Sequence, residues 1–185
     1  MSKLAIISGS PNPKSRVNGV IQYAKTELEQ TGCEVTIIDV CSLPPADLMY
    51  ANFTSRPIIQ AHTKVEEASA IIIASPVYKT TYTGVLKAYI DLLPQKGFKD
   101  KMIAAYFVGG TISSLLSIDY SLKPLLASMG AKSFAENVFA VDNQIERIED
   151  GEQNVSFELK NEIQQRINAS LFDLISYTNG NLRIH

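Results

Sequence analysis

The sequence predicts a three-layer α/β sandwich, a five-stranded parallel sheet with helices on both faces, on three observations. Five short apolar runs recur along the 185 residues, and amphipathic helical periods separate them. Three of the runs are almost continuous hydrophobe, the composition of parallel strands covered on both faces. Such alternation argues for an α/β architecture. At 185 residues the chain is long for one domain and short for two, so a single domain over 1–185 is expected.

The elements run in order along the chain. "LAIIS" (4–8) reads as the first strand. Val17, Val20, Ile21, Ala24 and Leu28 then keep to one helical face, with Gly32 as a stop. "EVTIIDV" (34–40) is the second strand and "RPIIQAHTKVEEAS" (56–69) the helix after it. "AIIIAS" (70–75) is the third strand, "GVLKAYIDLLP" (84–94) its helix, and "MIAAYFVGG" (102–110) the fourth strand. Leu115, Ile118, Leu122, Leu125 and Leu126 mark a helix ended by Gly130, and "SFAENVFAV" (133–141) is the fifth strand. The polar stretch 142–156 reads as a long loop, either mobile or placed over a neighbouring site. Ile163, Ile167, Leu171, Leu174 and Ile175 mark the last helix. Right-handed crossovers leave few topologies, and the flavodoxin-like order 2-1-3-4-5 leads them. A ligand would then sit at the carboxyl ends of strands 1 and 3, where the strand order reverses.

Composition closes off several functions. A net charge of −2 gives no basic footprint for nucleic acid. Cys33 and Cys41, with only His62 and His185 to help, are too few and too scattered for a metal site or a disulfide framework, and both thiols are expected buried or idle. Turn residues come directly after the first apolar run, leaving no signal-peptide core, and no run approaches the ~20 residues that span a bilayer. A cytoplasmic location is expected.

Three loops should meet at the carboxyl edge of the sheet. In "GSPNPKSRVNG" (9–19), Ser10 and Ser15 offer hydroxyls, Lys14 and Arg16 offer charge, and a helix starting near Arg16 exposes unpaired N–H groups. Together they suit one terminal phosphate; Ser15 as a plain helix N-cap in a solvated loop is an equally open reading. Neither the dinucleotide fingerprint nor a P-loop is present. In "SPVYKTTYTG" (75–84), Pro76 should end the ladder and leave the next N–H groups for a flat ring. Tyr78 could cover that ring, and Lys79 could offset charge on it. Two tyrosines capping the sheet end is the alternative. In "VGGTISS" (108–114), paired glycines allow close approach and Thr111 starts a helix, which alone is a generic strand-to-helix turn.

"SPVYKTTYTGVLKAYIDLLPQ", with "GSPNPKSR", "GGT" and "IDYSLKPLL", resembles the NADPH-dependent FMN reductases of the flavodoxin-like superfamily, essentially from the first strand to the final helix. Within them it is most similar to the reductases serving two-component alkanesulfonate monooxygenases. The resemblance implies that Ser10, Ser15, Arg16 and the backbone at Val17 hold the FMN phosphate. It places Pro76, Val77, Tyr78 and Lys79 along the isoalloxazine, with Gly109, Gly110 and Thr111 on its other edge. Asn12 stands where broader relatives carry arginine, so charge there would fall to Lys14 and Arg16. Tyr120 matches an inserted tyrosine that makes a π-bulge at a tetramer interface; a kinked, packed interface helix is the other reading.

The reaction this resemblance implies is hydride transfer from NADPH to FMN, which needs proximity and a dry face more than an acid or base. Reduced FMN would pass to a flavin-dependent monooxygenase, and a homo-oligomer, dimer or tetramer, is expected. The alternatives are an FMN-retaining quinone or azo reductase of the same fold, a flavodoxin-like electron carrier, and a flavin-binding protein without turnover.

Overall fold

The computed structural model of the chain describes residues 2–150 and 154–181. Strand β1 (Lys3–Ser8) pairs in parallel with β2 (Glu34–Asp39) on one side and β3 (Ala70–Pro76) on the other, and β3 pairs with β4 (Met102–Gly109). The order β2-β1-β3-β4-β5 is the expected one. Alternation along the strands sorts the core into two layers. Ala5, Ile7, Ile71, Ile73, Ile103 and Phe107 face helices α3 (Arg56–Glu67), α4 (Gly84–Ile90) and α5 (Lys123–Ser128). Leu4, Ile6, Ile72, Ala74, Tyr106 and Val108 face α1 (Val17–Gln30) and α6 (Asn161–Asn181). Each fully buried isoleucine contributes roughly 1.5–3 kcal/mol. That is why strands buried on both faces read as unbroken hydrophobe. A short helix, α2 (Pro45–Met49), was not visible in the apolar pattern; it buries none of its residues.

Two expectations need correction. The fifth run is two strands, β5 (Ser133–Phe134) and β6 (Val138–Val141), both paired with β4. Between them α6 takes over the backbone polar groups. The Glu136 N–H donates to Asp173 Oδ2 (3.2 Å), and the Glu136 carbonyl accepts from Ser170 Oγ (2.6 Å). Nor is 142–156 a loop: β7 (Ile145–Asp150) and β8 (Asn154–Leu159) pair antiparallel as a ribbon separate from the main sheet. Residues 151–153 of that stretch, and His185, lie outside the described residues. The ribbon anchors through Ile145 and Leu159, both buried in the layer of α1 and α6, with Phe157 packed beside them.

The helix expected around 115–126 forms in three pieces: a 3₁₀ turn (Ile112–Leu115), a π-helical segment (Ile118–Leu122) and α5. The π segment includes Tyr120, at the position the resemblance implied for a π-bulge. Of the two cysteines, Cys33 is buried and Cys41 exposed; partial burial, then Asp39, raises the Cys41 thiol pKa. No helix among the described residues is long and apolar enough to cross a membrane.

Gly19 explains how the ribbon reaches α1. A glycine inside a helix ordinarily costs about 0.5–1 kcal/mol relative to alanine. Here a Cβ would stand 2.5 Å from Phe157 Cβ and 2.8 Å from its Cγ, so β8 lies where the missing side chain would be. Gly19→Ala should therefore destabilise the fold by about 1–3 kcal/mol, against the usual gain for such a helix substitution. A thermal melt showing an unchanged or raised Tm would contradict this packing.

Candidate active site

The first loop opens where β1 runs out. The Gly9 N–H still bonds the Ala74 carbonyl (2.8 Å). Ser10 Oγ then donates to the Asn12 carbonyl (2.9 Å), and Asn12 Oδ1 accepts from the Lys14 N–H (2.8 Å). These local bonds turn the chain into α1, whose first turn receives no side-chain cap. Ser15 is thus not an N-cap. The Asn18 and Gly19 N–H groups bond the Ser15 and Arg16 carbonyls (3.0 Å each), so this 14-residue helix presents the N–H groups of Arg16 and Val17, which have no partner among the described residues, and the positive end of its dipole at the carboxyl edge of the sheet.

The second loop departs from expectation at Pro76. Proline does not end the ladder: Pro76 stays in register with Val108, and the Val77 N–H bonds the Val108 carbonyl (2.8 Å). The break comes at Tyr78, whose N–H donates to the Thr81 carbonyl (2.9 Å) and whose carbonyl accepts from the Thr81 N–H (3.2 Å). Of the N–H groups expected to await a ligand, those of Val77 and Tyr78 are therefore engaged within the protein. Those of Lys79 and Thr80 have no partner among the described residues. Both residues sit at positive φ, 49° and 68°. For a β-branched threonine this is a strained conformation, costing of order 1–3 kcal/mol, and such strain concentrates at ligand sites.

Two hydroxyl relays hold this turn. Thr83, the N-cap of α4, accepts from the Leu86 N–H (3.3 Å) and donates to the Gly9 carbonyl (2.6 Å), while its own N–H donates to Ser75 Oγ (3.1 Å). Thr81 Oγ1 donates to Ser121 Oγ (2.9 Å), and Ser121 Oγ donates to the Ser117 carbonyl. The strained turn is thereby tied directly to the π-helical segment.

The loops converge on one open cleft of about 180 Å³, lined by Asn12, Lys14, Ser15, Arg16, Pro76, Val77, Tyr78, Val108, Gly109, Gly110, Asp142 and Arg147. The three widely separated positions on which a shared ligand depends, Ser15, Tyr78 and Gly110, are all in that lining. Of the other implied residues, Ser10 lies buried beneath the loop, shaping the turn. Val17 buries its side chain in the core and can offer only backbone. Lys79 is exposed at the turn's apex, Thr111 Oγ1 pairs with Ser113 Oγ (2.8 Å), and Tyr120 is 79% exposed on the π segment. None of these five lines the cleft.

The residues present fit FMN. Ser15, Arg16 and the N-terminal end of α1 supply a phosphate seat, and Lys14 is also in the lining. Val77 and Tyr78 form an apolar ledge. Opposite them a Cβ on Gly110 would meet only Asp142 Oδ2, at 3.9 Å, so the missing side chain leaves that edge of the cradle open to a ring. Sequence reasoning missed Thr83, Asp142 and Arg147. Thr83 carried a signal, an N-cap threonine before an apolar period. Arg147 carried none, since only the ribbon brings it to the cleft.

Comparison with known proteins agrees with this geometry. The family model described as NADPH-dependent FMN reductase matches residues 2–146. The FMN reductase (NADPH) of Escherichia coli is 35% identical over 143 residues, 77% of this chain and 75% of that protein. An FMN-dependent NADPH-azoreductase of Staphylococcus saprophyticus is 26% identical over 178 residues, 93% of each chain. Among solved structures, the apo form of an NADH:FMN oxidoreductase superimposes with a TM-score of 0.81 at 27% identity, covering 95% of this chain and 90% of that one. The sheet order, the cleft at its carboxyl edge and the match over 2–146 together make this chain a member of the NADPH-dependent FMN reductase family.

Proposed function

We propose that the chain, acting as one domain over 1–185, reduces FMN with NADPH and releases the reduced flavin to a flavin-dependent monooxygenase in the cytoplasm. The observation that carries this reading is the single cleft shared by Ser15, Tyr78 and Gly110. When bound, FMN would supply the hydride acceptor for NADPH. The protein supplies position. The start of α1, with Ser15 and Arg16, would hold the phosphate; the Pro76–Tyr78 ledge would cover one side of the ring; Gly110 lets the backbone approach its edge, while Gly109, where a Cβ would stand 3.0 Å from Phe139 and 3.4 Å from Val77, packs the strand end against that ledge. Lys79 and Thr80, beside the cleft rather than in its lining, would offer N–H groups from the strained turn to the open edge of the ring, and Lys79 would offset negative charge gained on reduction. Ser10 and Thr111 act by shaping the loops and Val17 through its backbone. No acid–base residue is needed.

Release rather than retention is supported by the shape of the cleft. Sites that engulf a ligand typically enclose about 300–1,000 Å³. The cleft is open and holds only about 180 Å³, in keeping with a site that a flavin enters and leaves. The π segment supports it too, since the turn that covers the ring is bonded to Ser121 within that segment. The azoreductase relative supports a second reading, an FMN-retaining reductase acting on a quinone or azo compound.

Steady-state NADPH oxidation with FMN varied, alongside the absorbance spectrum of the purified protein, separates the two. A colourless protein with saturable FMN dependence is expected. A yellow protein with ping-pong kinetics towards an external acceptor would favour retention, and FMN binding without turnover would reject both.

Deleting Tyr120 should close the π turn to an ordinary α turn and move Ser121 by one position, altering its bond to Thr81. The expected result is a preparation that keeps FMN through purification; an unchanged flavin content would count against control by Tyr120.

Ile112, Leu115, Leu116 and Tyr120 are exposed on one short stretch, 62%, 37%, 57% and 79% respectively. More apolar surface than a monomer ordinarily shows there supports self-association. Light scattering at micromolar concentration should report a dimer or tetramer, and a monomer alone would reject it.

A further inference from the structure

We propose that Arg147, delivered by the β7–β8 ribbon, forms with Lys14 a second phosphomonoester seat in the cleft, one that takes the 2′-phosphate of NADPH and so distinguishes it from NADH. This rests on the reading of the cleft as the place where NADPH reduces FMN.

The first observation is a carboxylate held between two cations. Glu149 Oε2 lies 3.1 Å from Lys14 Nζ and Glu149 Oε1 lies 2.9 Å from Arg147 Nε. The lysine draws the Glu149 pKa down, first through its hydrogen bond and then through its charge. Lys14 and Arg147 both line the cleft, whereas Glu149 does not. The carboxylate therefore marks where two cationic groups already converge on an anion. A phosphate dianion carries more charge than a carboxylate and accepts the planar guanidinium in bidentate fashion.

The second observation is a surplus of positive charge. Lys14, Arg16 and Arg147 face one cleft with the carboxylate of Asp142, and the dipole of α1 adds about half a positive charge, a local excess of about two and a half charges once Glu149 is displaced. A single phosphomonoester carries only about −1.5 to −2 at neutral pH. Arg16 is fixed next to the α1 terminus, its Nε donating to the Ile145 carbonyl (2.9 Å), which suits it to the FMN phosphate. Arg147 is held instead on the Lys14 backbone, its Nη1 donating to the Lys14 carbonyl (3.3 Å). Arg16 and Arg147 are thus fixed by separate backbone contacts, in keeping with two seats rather than one.

The third observation is where the ribbon falls. Arg147 stands on the β7–β8 ribbon rather than at a strand end of the main sheet, and residues 2–146 are those the family model matches. Proteins built on that core differ in nucleotide: the Escherichia coli relative is named for NADPH, the superimposed structure for NADH.

The test compares initial rates with NADPH and NADH at saturating FMN for the natural protein, Arg147→Ala and Glu149→Gln, with circular dichroism confirming that each variant is folded. Losing a charge-assisted contact to phosphate should lower the NADPH-to-NADH ratio of kcat/KM by about 10-fold or more in Arg147→Ala, chiefly through KM. Glu149→Gln removes the competing carboxylate and should raise that ratio. Calorimetric titration with 2′,5′-ADP against 5′-AMP reads the same seat without turnover, and only the 2′-phosphorylated probe should lose affinity in Arg147→Ala. Equal effects on both nucleotides would overturn the proposal. So would a natural protein indifferent to the 2′-phosphate, or a rise in the KM for FMN larger than that for NADPH, which would place Arg147 on the flavin phosphate. A natural protein that oxidises neither nucleotide with FMN would instead overturn the reductase reading, and the titration would still decide whether Arg147 seats a 2′-phosphate.

Discussion

One threonine hydroxyl holds the candidate site together. Thr83 Oγ1 caps α4 and donates to the Gly9 carbonyl, while the Thr83 N–H reaches back to Ser75 Oγ. Gly9 begins the first loop and Ser75 lies at the end of the third strand, so these bonds fix the spacing of two loops far apart in sequence. All three partners are buried or backbone groups, and a buried polar atom left unpaired costs about 1–3 kcal/mol, so the arrangement is tightly determined. Without it the phosphate end and the ring end of the cleft would be free to drift relative to one another. A ligand that must touch both would then meet the full entropic cost of ordering them.

The same logic accounts for the strain in the neighbouring turn. Lys79 and Thr80 at positive φ raise the energy of the folded chain, and their own side chains offset it only through the bond from Thr80 Oγ1 to the Lys79 carbonyl (2.6 Å). The remaining compensation comes from outside: a two-way backbone pairing of Tyr78 with Thr81, and the bond from Thr81 to Ser121. Ser121 sits in the π segment, where the extra residue per turn disturbs ordinary helical bonding and the hydroxyl turns back to the Ser117 carbonyl. The turn's geometry is therefore conditional on the helix beside it, and any movement of that segment is felt at the ledge under the ring.

The sheet was legible in the sequence because β1, β3 and β4 are buried on both sides, and apolar composition reports burial directly. The ribbon was not read because β7 buries only Ile145, so its composition is that of a loop. A signal did exist in β8, where Val155, Phe157 and Leu159 alternate with polar residues, the period of a half-buried strand. The split of the fifth strand could not be read, because it depends on Ser170 and Asp173 of a distant helix. In the cleft, Ser15, Arg16, Pro76–Tyr78 and the two glycines were legible from topology: loops after neighbouring strands must share an edge. Arg147 was not, since its place depends on how the ribbon packs on Gly19 rather than on any strand end.

That placement also resolves an electrostatic puzzle. A chain of net charge −2 would be expected to repel two anionic coenzymes. Yet at physiological ionic strength charges farther than about 8 Å are largely screened, so a ligand in the cleft responds to local groups rather than to the total. Locally Lys14, Arg16 and Arg147 outnumber Asp142 in the lining, while Glu149 stands just outside it. Exposed ion pairs such as those of Glu149 are each worth no more than about 1 kcal/mol, so an entering phosphate meets little resistance in replacing them. Their effect on departure is larger in consequence. A waiting carboxylate reclaims the cations as the ligand leaves, so the empty site carries no unpaired charge to hold its product back. On the proposed reading, moderate affinity and ready exchange would come from one arrangement, a cationic seat that supplies its own replaceable anion.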